Sequence, residues 1–244
     1  MTRHLLVLDP GQIGPGEPIS AVLGPGREVT VVDPLGLNWP LDDPPSPRRR
    51  ATEHARELTD FSGVIVAHCT NAALALELAA LVAPERVVLF APVRVTTAMV
   101  GEHTQRLLVA LGEPGASAAD FARQAWHGGG PVDVALRGSF DRLRALARAE
   151  ASGFDMDEDE AERFVSVLCG RYGQWLGHLA GQVGVEVTDP TCPVHVLGDR
   201  TAADLLPAGP VRRYDHADPY AFGTPGLQHL FREVLAVSTT GRPA

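Results

Sequence analysis

Short apolar runs and helical stretches alternate along the chain. Five of the runs are rich in β-branched residues and have no alternating polar positions, which is typical of strands buried on both faces of a parallel sheet. Turn-forming residues close the first two runs, as Asp9-Pro10 and Asp33-Pro34. The pattern predicts an α/β fold. The predicted strands are Leu5–Leu8, Glu28–Val32, Val64–Ala67, Val87–Phe90 and Val194–Leu197.

Helical spacing of apolar positions fills most of the remaining chain. The alternation of strands and helices stops between residues 94 and 188, where the sequence is mostly helical. We therefore predict a core of residues 1–93 and 189–244 and a helical lid inserted between two strands. The predicted helices are Arg50–Thr59, Asn71–Ala83, Thr97–Leu111, Ser117–Trp126, Val132–Glu150, Asp157–Val183 and Pro219–Val237.

Composition and charge narrow the class of protein. A chain of 244 residues, 45% of them hydrophobic, is long enough to bury a sizeable core. The net charge is −9, and the longest run of basic residues is Arg48, Arg49 and Arg50, so we expect no nucleic-acid partner. No apolar run approaches the roughly 20 residues that span a bilayer, and the start of the chain has no signal-peptide pattern. We expect a cytoplasmic protein without a membrane partner.

The three cysteines, Cys69, Cys169 and Cys192, are widely spaced and include no C-x-x-C pair. This spacing indicates neither a disulfide framework nor a zinc site, and we expect no metal and no other cofactor. Cys69 stands where an apolar strand meets an Ala-rich helix. A helix N-terminus favours the thiolate, so we predict that Cys69 is a nucleophile. The alternative is a small buried hydrophobic residue.

Five residues around this cysteine, Ala67-His68-Cys69-Thr70-Asn71, form a segment that we call the elbow. It resembles the nucleophile elbow of the α/β-hydrolase family, G-x-S-x-G, with cysteine in place of serine and with both glycines replaced. The resemblance extends over nearly the whole chain and preserves the family's order of nucleophile, acid and histidine, but the family's first strands are absent. It implies a three-layer sandwich, with a mostly parallel sheet of about six strands covered by helices on both faces.

The resemblance also implies roles for individual residues. His216, in the loop before the last helix, corresponds to the family's histidine and would deprotonate Cys69. The alternative for His216 is an ordinary surface histidine. The backbone N–H groups of Thr70 and Gln12 would receive the oxyanion. Asp199 would orient the imidazole.

The identity of the acid is left open by the sequence. In relatives with a G-D-x-D pattern the second Asp is the functional one, and Thr201 occupies that position here. Asp199 corresponds to the first Asp, and Asp204 lies three residues beyond the expected place. The acid is therefore Asp199 or Asp204, or it is absent and a Cys-His dyad operates, which a thiol tolerates better than a hydroxyl does.

Three further side chains, His68, Trp126 and Trp175, are predicted to line the substrate. The alternative for His68 is packing under the lid. The alternative for the two tryptophans is that they form the lid's own core, because aromatic residues dominate small cores.

The similarity to stand-alone thioesterases implies an enzyme for acyl thioesters or esters, acting as a thioesterase, acyltransferase or cyclase through a cysteine acyl-enzyme. Its expected partner is an acyl thioester bound to a carrier protein or to coenzyme A, in polyketide or peptide specialised metabolism. Two alternatives stay open. One is a hydrolase-fold protein that has lost catalysis and serves as a binding or scaffolding module. The other resembles dienelactone hydrolase and acts on small lactones, for which we expect a shorter lid.

Overall fold

The computed structural model describes residues 4–9, 19–23, 28–36, 39–40, 43–154, 156–198, 205–206, 210–216, 222 and 224–236. The chain divides into two compact units. The first is drawn from Met1–Gly36, Pro47–Arg94 and Glu186–Ala244, and the second from Leu37–Ser46 and Val95–Val185.

A single parallel sheet forms the centre of the first unit. In the described part of the chain, six strands lie in the order β2-β1-β3-β4-β5-β6, and every neighbouring pair is parallel. The predicted α/β class with a parallel sheet of six strands is confirmed. The strands are β1 (Leu5–Leu8), β2 (Val29–Val32), β3 (Val64–His68), β4 (Arg86–Phe90), β5 (Val194–Leu197) and β6 (Val211–Tyr214).

The two outer strands differ from the predicted pattern. β2 was expected to be buried on both faces, but it lies at the edge of the sheet, and Val31 is 55% exposed. β6 is not among the five predicted runs, because Arg212 and Arg213 interrupt its apolar pattern. Both arginines are exposed at the opposite edge. An edge strand has one neighbour and is less covered, so it needs no continuous apolar run.

Helices cover both faces of this sheet. One hydrophobic core joins the face that carries Leu6 and Leu8 to helices α1 and α2, and a second core joins the face that carries Leu5 and Val7 to α7. The first unit is thus the three-layer arrangement that was predicted. Its helices are α1 (Pro47–Ala55), α2 (Ala72–Val82) and α7 (Pro225–Ala236).

The second unit is helical. Glu113, before α4, is 4% exposed and accepts two hydrogen bonds from Arg142 of α5, at 2.9 and 2.6 Å. A capping box between Asp157 and Glu160 begins α6. Across the described residues, no helix combines the length and the apolar composition that a membrane crossing requires. The helices are α3 (Thr97–Ala110), α4 (Gly115–His127), α5 (Val132–Ala151) and α6 (Glu158–Ala180).

Two polar side chains lie within the core between the sheet and α7. Arg86 of β4 is fully buried and donates from Nη1 to the carbonyl of Val234 at 2.8 Å and from Nη2 to Glu85 at 2.7 Å. A cation at the last turn of α7 offsets the negative end of the helix dipole. His195 of β5 is 2% exposed. Burial, together with the charges of Arg86 and Arg212, lowers its pKa to about 4.

We predict that His195 makes the protein sensitive to mild acid. The unfolded state binds a proton on this imidazole below its ordinary pKa of 6.5, whereas the folded state does so only near pH 4. The free energy of unfolding should therefore fall between pH 6.5 and pH 4, with His195 contributing up to about 3 kcal/mol of the loss. Urea denaturation at several pH values measures this loss.

The matched variants are His195→Phe, which keeps a ring in the core, and His229→Gln, which changes an exposed histidine. His54 and His68 also have lowered pKa values, so they add to the loss of stability at acid pH. Both residues are unchanged in the two variants, so their contribution is the same in each. A weaker pH dependence in His195→Phe alone is the expected result. Equal slopes in the wild type and His195→Phe would contradict the prediction.

Candidate active site

Cys69 occupies a sharp turn between a strand and a helix. β3 ends at His68, a short 3₁₀ turn covers Cys69–Asn71, and α2 begins at Ala72. Cys69 has a φ of +49°, a conformation that costs a residue with a side chain of order 1–3 kcal/mol. Its carbonyl accepts hydrogen bonds from the N–H groups of Ala72 and of Val93, the latter at 3.4 Å. These bonds hold the strained backbone in place.

The three cysteines are free thiols in different surroundings. Cys69 is half-buried, whereas Cys169 and Cys192 are 2% and 7% exposed. Burial raises the pKa of both buried thiols, that of Cys192 to about 11. Their surroundings disfavour the reactive thiolate. Cys69 is thus the most accessible of the three thiols.

The two elbow positions that are glycine in the G-x-S-x-G pattern, Ala67 and Asn71, carry buried side chains here. Ala67 is fully buried in β3, and Asn71 is 1% exposed at the start of α2. Oδ1 of Asn71 has no hydrogen-bond partner among the described residues. Thr70 is also buried, and the first N–H groups of a helix have no acceptor within it. The role of Thr70 as an oxyanion donor stays a prediction.

Because the strands are parallel, their carboxyl ends all lie along the same side of the sheet. We call this side, which is distinct from the outer strands β2 and β6, the carboxyl edge. The register places Phe90 opposite His68, Leu197 opposite Phe90, and Tyr214 opposite Leu197. Cys69 directly follows β3, so it lies at this edge. His216 follows β6 by two residues and lies at the same edge. The parallel arrangement thus places the ends of β3 and β6, which are distant in sequence, at the same edge.

His216 is half-buried beside the first turn of α7. A Cβ atom added to Gly226, the second residue of α7, would lie 3.7 Å from Nε2 of His216. β3 and β6 are three strands apart, which is roughly 14 Å between strand axes at the usual spacing. Side chains and loops must therefore bridge this distance. The convergence of Cys69 and His216 stays a prediction.

His68 packs inside the first unit beside Cys69. Its ring meets Phe222 edge-on, with ring centroids 5.5 Å apart. Burial lowers the pKa of His68, although the nearby Asp9 carboxylate opposes the shift. Nδ1 has no hydrogen-bond partner among the described residues. The contact with Phe222 and the burial favour the packing alternative, and the lining of a substrate by His68 stays a prediction.

Gln12, Asp199 and Asp204 lie outside the described residues. The residue before Asp199, Gly198, has a φ of +150°. A Cβ atom there would lie 3.2 Å from Cα of Ala91, so the position requires glycine. The N–H of Gly198 donates to the carbonyl of Tyr214 at 3.1 Å. The chain is thereby tied to β6 immediately before Asp199.

Trp126 and Trp175 are buried within the helical unit. Trp126 is 4% exposed, and its indole donates to Oγ of Ser139 at 3.1 Å. The indole of Trp175 donates to Nδ1 of His103 at 3.4 Å, and its ring stacks on His178. These contacts favour a role in the core of the unit. A role in lining the substrate stays a prediction for both.

Glu77 anchors the helix that follows Cys69, a role that the sequence analysis did not predict. The side chain is 2% exposed. It accepts from Arg48 of α1 at 3.1 Å and from the backbone N–H of Thr188 at 2.7 Å. The available signal was a lone carboxylate in an otherwise apolar helix, because a buried charge requires partners.

No protein family matches the chain, and no curated protein does. Several solved enzyme structures are similar to it. The bottromycin epimerase BotH is 13% identical, with a TM-score of 0.49 over 96% of this chain and 90% of that one. The Vlm2 thioesterase domain is 15% identical, with a TM-score of 0.47 over 95% and 92%. Human thioesterase 2 is 12% identical, with a TM-score of 0.46 over 98% and 100%. Identities this low do not extend the activities of these proteins to this chain.

The strain at Cys69 predicts an unusual response to glycine. Glycine adopts positive φ without a Cβ penalty, but it also makes the unfolded chain more flexible, which lowers stability. With both effects included, the free energy of unfolding of Cys69→Gly should be about 0.5–1 kcal/mol higher than that of Cys69→Ala. In the interior of helix α2, Ala75→Gly should instead destabilise the protein by about 1 kcal/mol. Urea denaturation of the variants measures both differences. A Cys69→Gly variant less stable than Cys69→Ala would show that the turn is not strained.

Proposed function

We propose that the protein is an acyl-transferring hydrolase in which Cys69 forms an acyl-enzyme with a thioester or ester substrate. The observation that carries the proposal is the backbone of Cys69, a φ of +49° at a strand-to-helix turn on the carboxyl edge of a parallel sheet. Non-glycine residues held in this conformation concentrate at functional sites. The half-buried thiol at this turn is available to a substrate, unlike the two buried thiols.

His216 is assigned the role of general base and acid. It accepts the thiol proton as Sγ of Cys69 attacks the carbonyl carbon of the substrate, and the carbonyl oxygen becomes an oxyanion. The oxyanion then collapses, the bond to the leaving thiol or alcohol breaks, and His216 returns the proton to the leaving atom. Water, an alcohol or an amine next attacks the carbonyl carbon of the acyl-enzyme while His216 accepts its proton, and a second oxyanion forms. This oxyanion collapses, the bond from the acyl carbon to Sγ of Cys69 breaks, and His216 returns the proton to Sγ. The half-buried position of His216 at the carboxyl edge supports this role.

The N–H groups of Thr70 and Gln12 are assigned to the oxyanion. The position of Thr70 directly after the nucleophile, at the start of the helical turn, supports the first assignment. Gln12 follows β1, the strand that pairs with β3, so its place in the sequence favours the same edge.

Asp199 is our candidate for the group that orients His216. Leu197 and Tyr214 are opposite each other in the register of β5 and β6. Asp199 and His216 each follow their strand by two residues, and the bond from Gly198 to Tyr214 links the two strand ends. This matched offset favours Asp199 over Asp204.

Trapping the acyl group tests the proposal directly. Wild-type protein incubated with a series of acyl thioesters should gain the mass of one acyl group, and Cys69→Ala should gain none. Cys192→Ala is the matched control, because the same change at a buried thiol should leave the adduct and the rate unchanged. His216→Ala should slow turnover by about 10²–10⁴-fold, the usual contribution of a general base. Turnover by Cys69→Ala at the wild-type rate would overturn the proposal.

Thiol alkylation separates an enzyme from a binding module with an inert cysteine. Iodoacetamide near neutral pH should modify the native protein once, at Cys69, because burial raises the pKa of the other two thiols. Peptide mapping locates the label, and Cys69→Ser should stay unlabelled until it is denatured. If Cys69 of the native wild type is labelled no faster than Cys192, the result would instead favour the binding module.

A further inference from the structure

His195 and Tyr214 form a polar pair inside the core on the α7 side of the sheet. Nδ1 of His195 and the Tyr214 hydroxyl share a hydrogen bond of 3.1 Å. The two rings are stacked, with an angle of 15° between their planes and 5.8 Å between their centroids. His195 is 2% exposed, and Tyr214 packs against the core that contains Phe231 of α7. The pair joins β5 to the last residue of β6.

Charged groups near this pair come from both neighbouring strands. β4 contributes the buried Arg86, and β6 contributes Arg212, whose register partner is His195. From α7, the described residues buried in this core are apolar: Leu227, Phe231, Val234 and Leu235. Burial and the two arginines lower the pKa of His195 to about 4. The imidazole is therefore neutral at neutral pH, and its bond to the phenol joins two uncharged groups.

Such a pair contributes little to the free energy of folding. A buried hydrogen bond returns little more than the cost of removing its polar groups from water, and two apolar side chains would fill the same space. What the bond adds is direction, because it fixes the rotation of the Tyr214 side chain relative to β5. The carbonyl of Tyr214 is also fixed, by the N–H of Gly198 at 3.1 Å.

His216 follows Tyr214 by two residues. Any rotation of the end of β6 moves the His216 backbone, and a proton transfer to or from Cys69 tolerates little displacement. We propose that His195 and Tyr214 are positioning residues that hold the end of β6 so that His216 reaches Cys69. This inference rests on the proposed function, in which His216 serves as the base.

The test uses a small probe whose reaction does not depend on the acyl substrate. The rate constant for alkylation of Cys69 by iodoacetamide at pH 7 is measured in wild type, His216→Ala, Tyr214→Phe and His195→Leu. His216→Ala removes the base and should slow alkylation. Tyr214→Phe and His195→Leu should each lower the rate constant by about tenfold, as a partial form of the same defect. With an acyl thioester, the same two variants should lower kcat with KM unchanged.

Two further variants separate positioning from stability. In His195→Asn the amide retains a polar group near the place of Nδ1, so this variant should recover most of the alkylation rate that His195→Leu loses. Tyr172→Phe removes a phenol from α6 and should react like wild type. Unfolding free energies are measured for all variants, because a merely structural pair would lower them and leave alkylation unchanged.

The outcomes distinguish this inference from the proposed function. If His216→Ala slows alkylation but folded Tyr214→Phe and His195→Leu react like wild type, the positioning role is wrong and the proposed function stands. If His216→Ala reacts like wild type, His216 is not the base, and both the proposed mechanism and the positioning role fail. Slower alkylation in both pair variants, with recovery in His195→Asn, supports the inference.

Discussion

Parallel pairing of the six strands is the constraint on which the rest of the first unit depends. Parallel strands cannot be joined by tight hairpins, so the chain returns across a face of the sheet between strands. The crossovers from β2 to β3 and from β3 to β4 place α1 and α2 on one face, and α7, which follows the last strand, covers the other. It also gathers every strand end at the carboxyl edge. Cys69, Gly198 and His216, which are far apart in sequence, therefore share that edge.

The strained turn at Cys69 is held by the packing of the segments on either side of it. β3 is covered on both faces, and α2 buries most of its length, from Ala72 to Ala79. Glu77 fixes the helix to α1 and to Thr188 by charged hydrogen bonds. A loosely attached helix would relax the turn, because the unfavourable φ persists only where the surroundings determine it. Burial of an Ala-rich and Leu-rich helix thus maintains an accessible thiol in a fixed direction.

Polar groups in the core beneath α7 serve orientation more than stability. Arg86 reaches the carbonyl of Val234 at the last turn of the helix, and His195 holds the Tyr214 hydroxyl. Buried charged or polar groups contribute little net stability even when they are well paired. They do restrict which arrangements of β4, β5, β6 and α7 satisfy every hydrogen bond. The same core therefore fixes the direction in which the chain leaves β6.

The apolar pattern by itself determined the central strands and the place of the candidate nucleophile. β1 and β5 have the predicted bounds, and the junction of strand and helix at Cys69 is visible as a change of pattern in the sequence. The edge strands were predicted less well. The bounds of β2 were predicted to within one residue, but it was expected to be buried and it exposes Val31, whereas β6 was not predicted because Arg212 and Arg213 interrupt its apolar pattern.

Only the tertiary structure decided the positive φ of Cys69, the partners of Glu77 and the pairing of His195 with Tyr214. It also grouped Leu37–Ser46 with the helical unit, although these residues precede it in the sequence by a long interval. The physical reason is the range of the interactions. A hydrophobic pattern reflects the burial of one contiguous segment, whereas the bond from Arg86 to Val234 joins residues 148 positions apart and exists only after the sheet and α7 have packed.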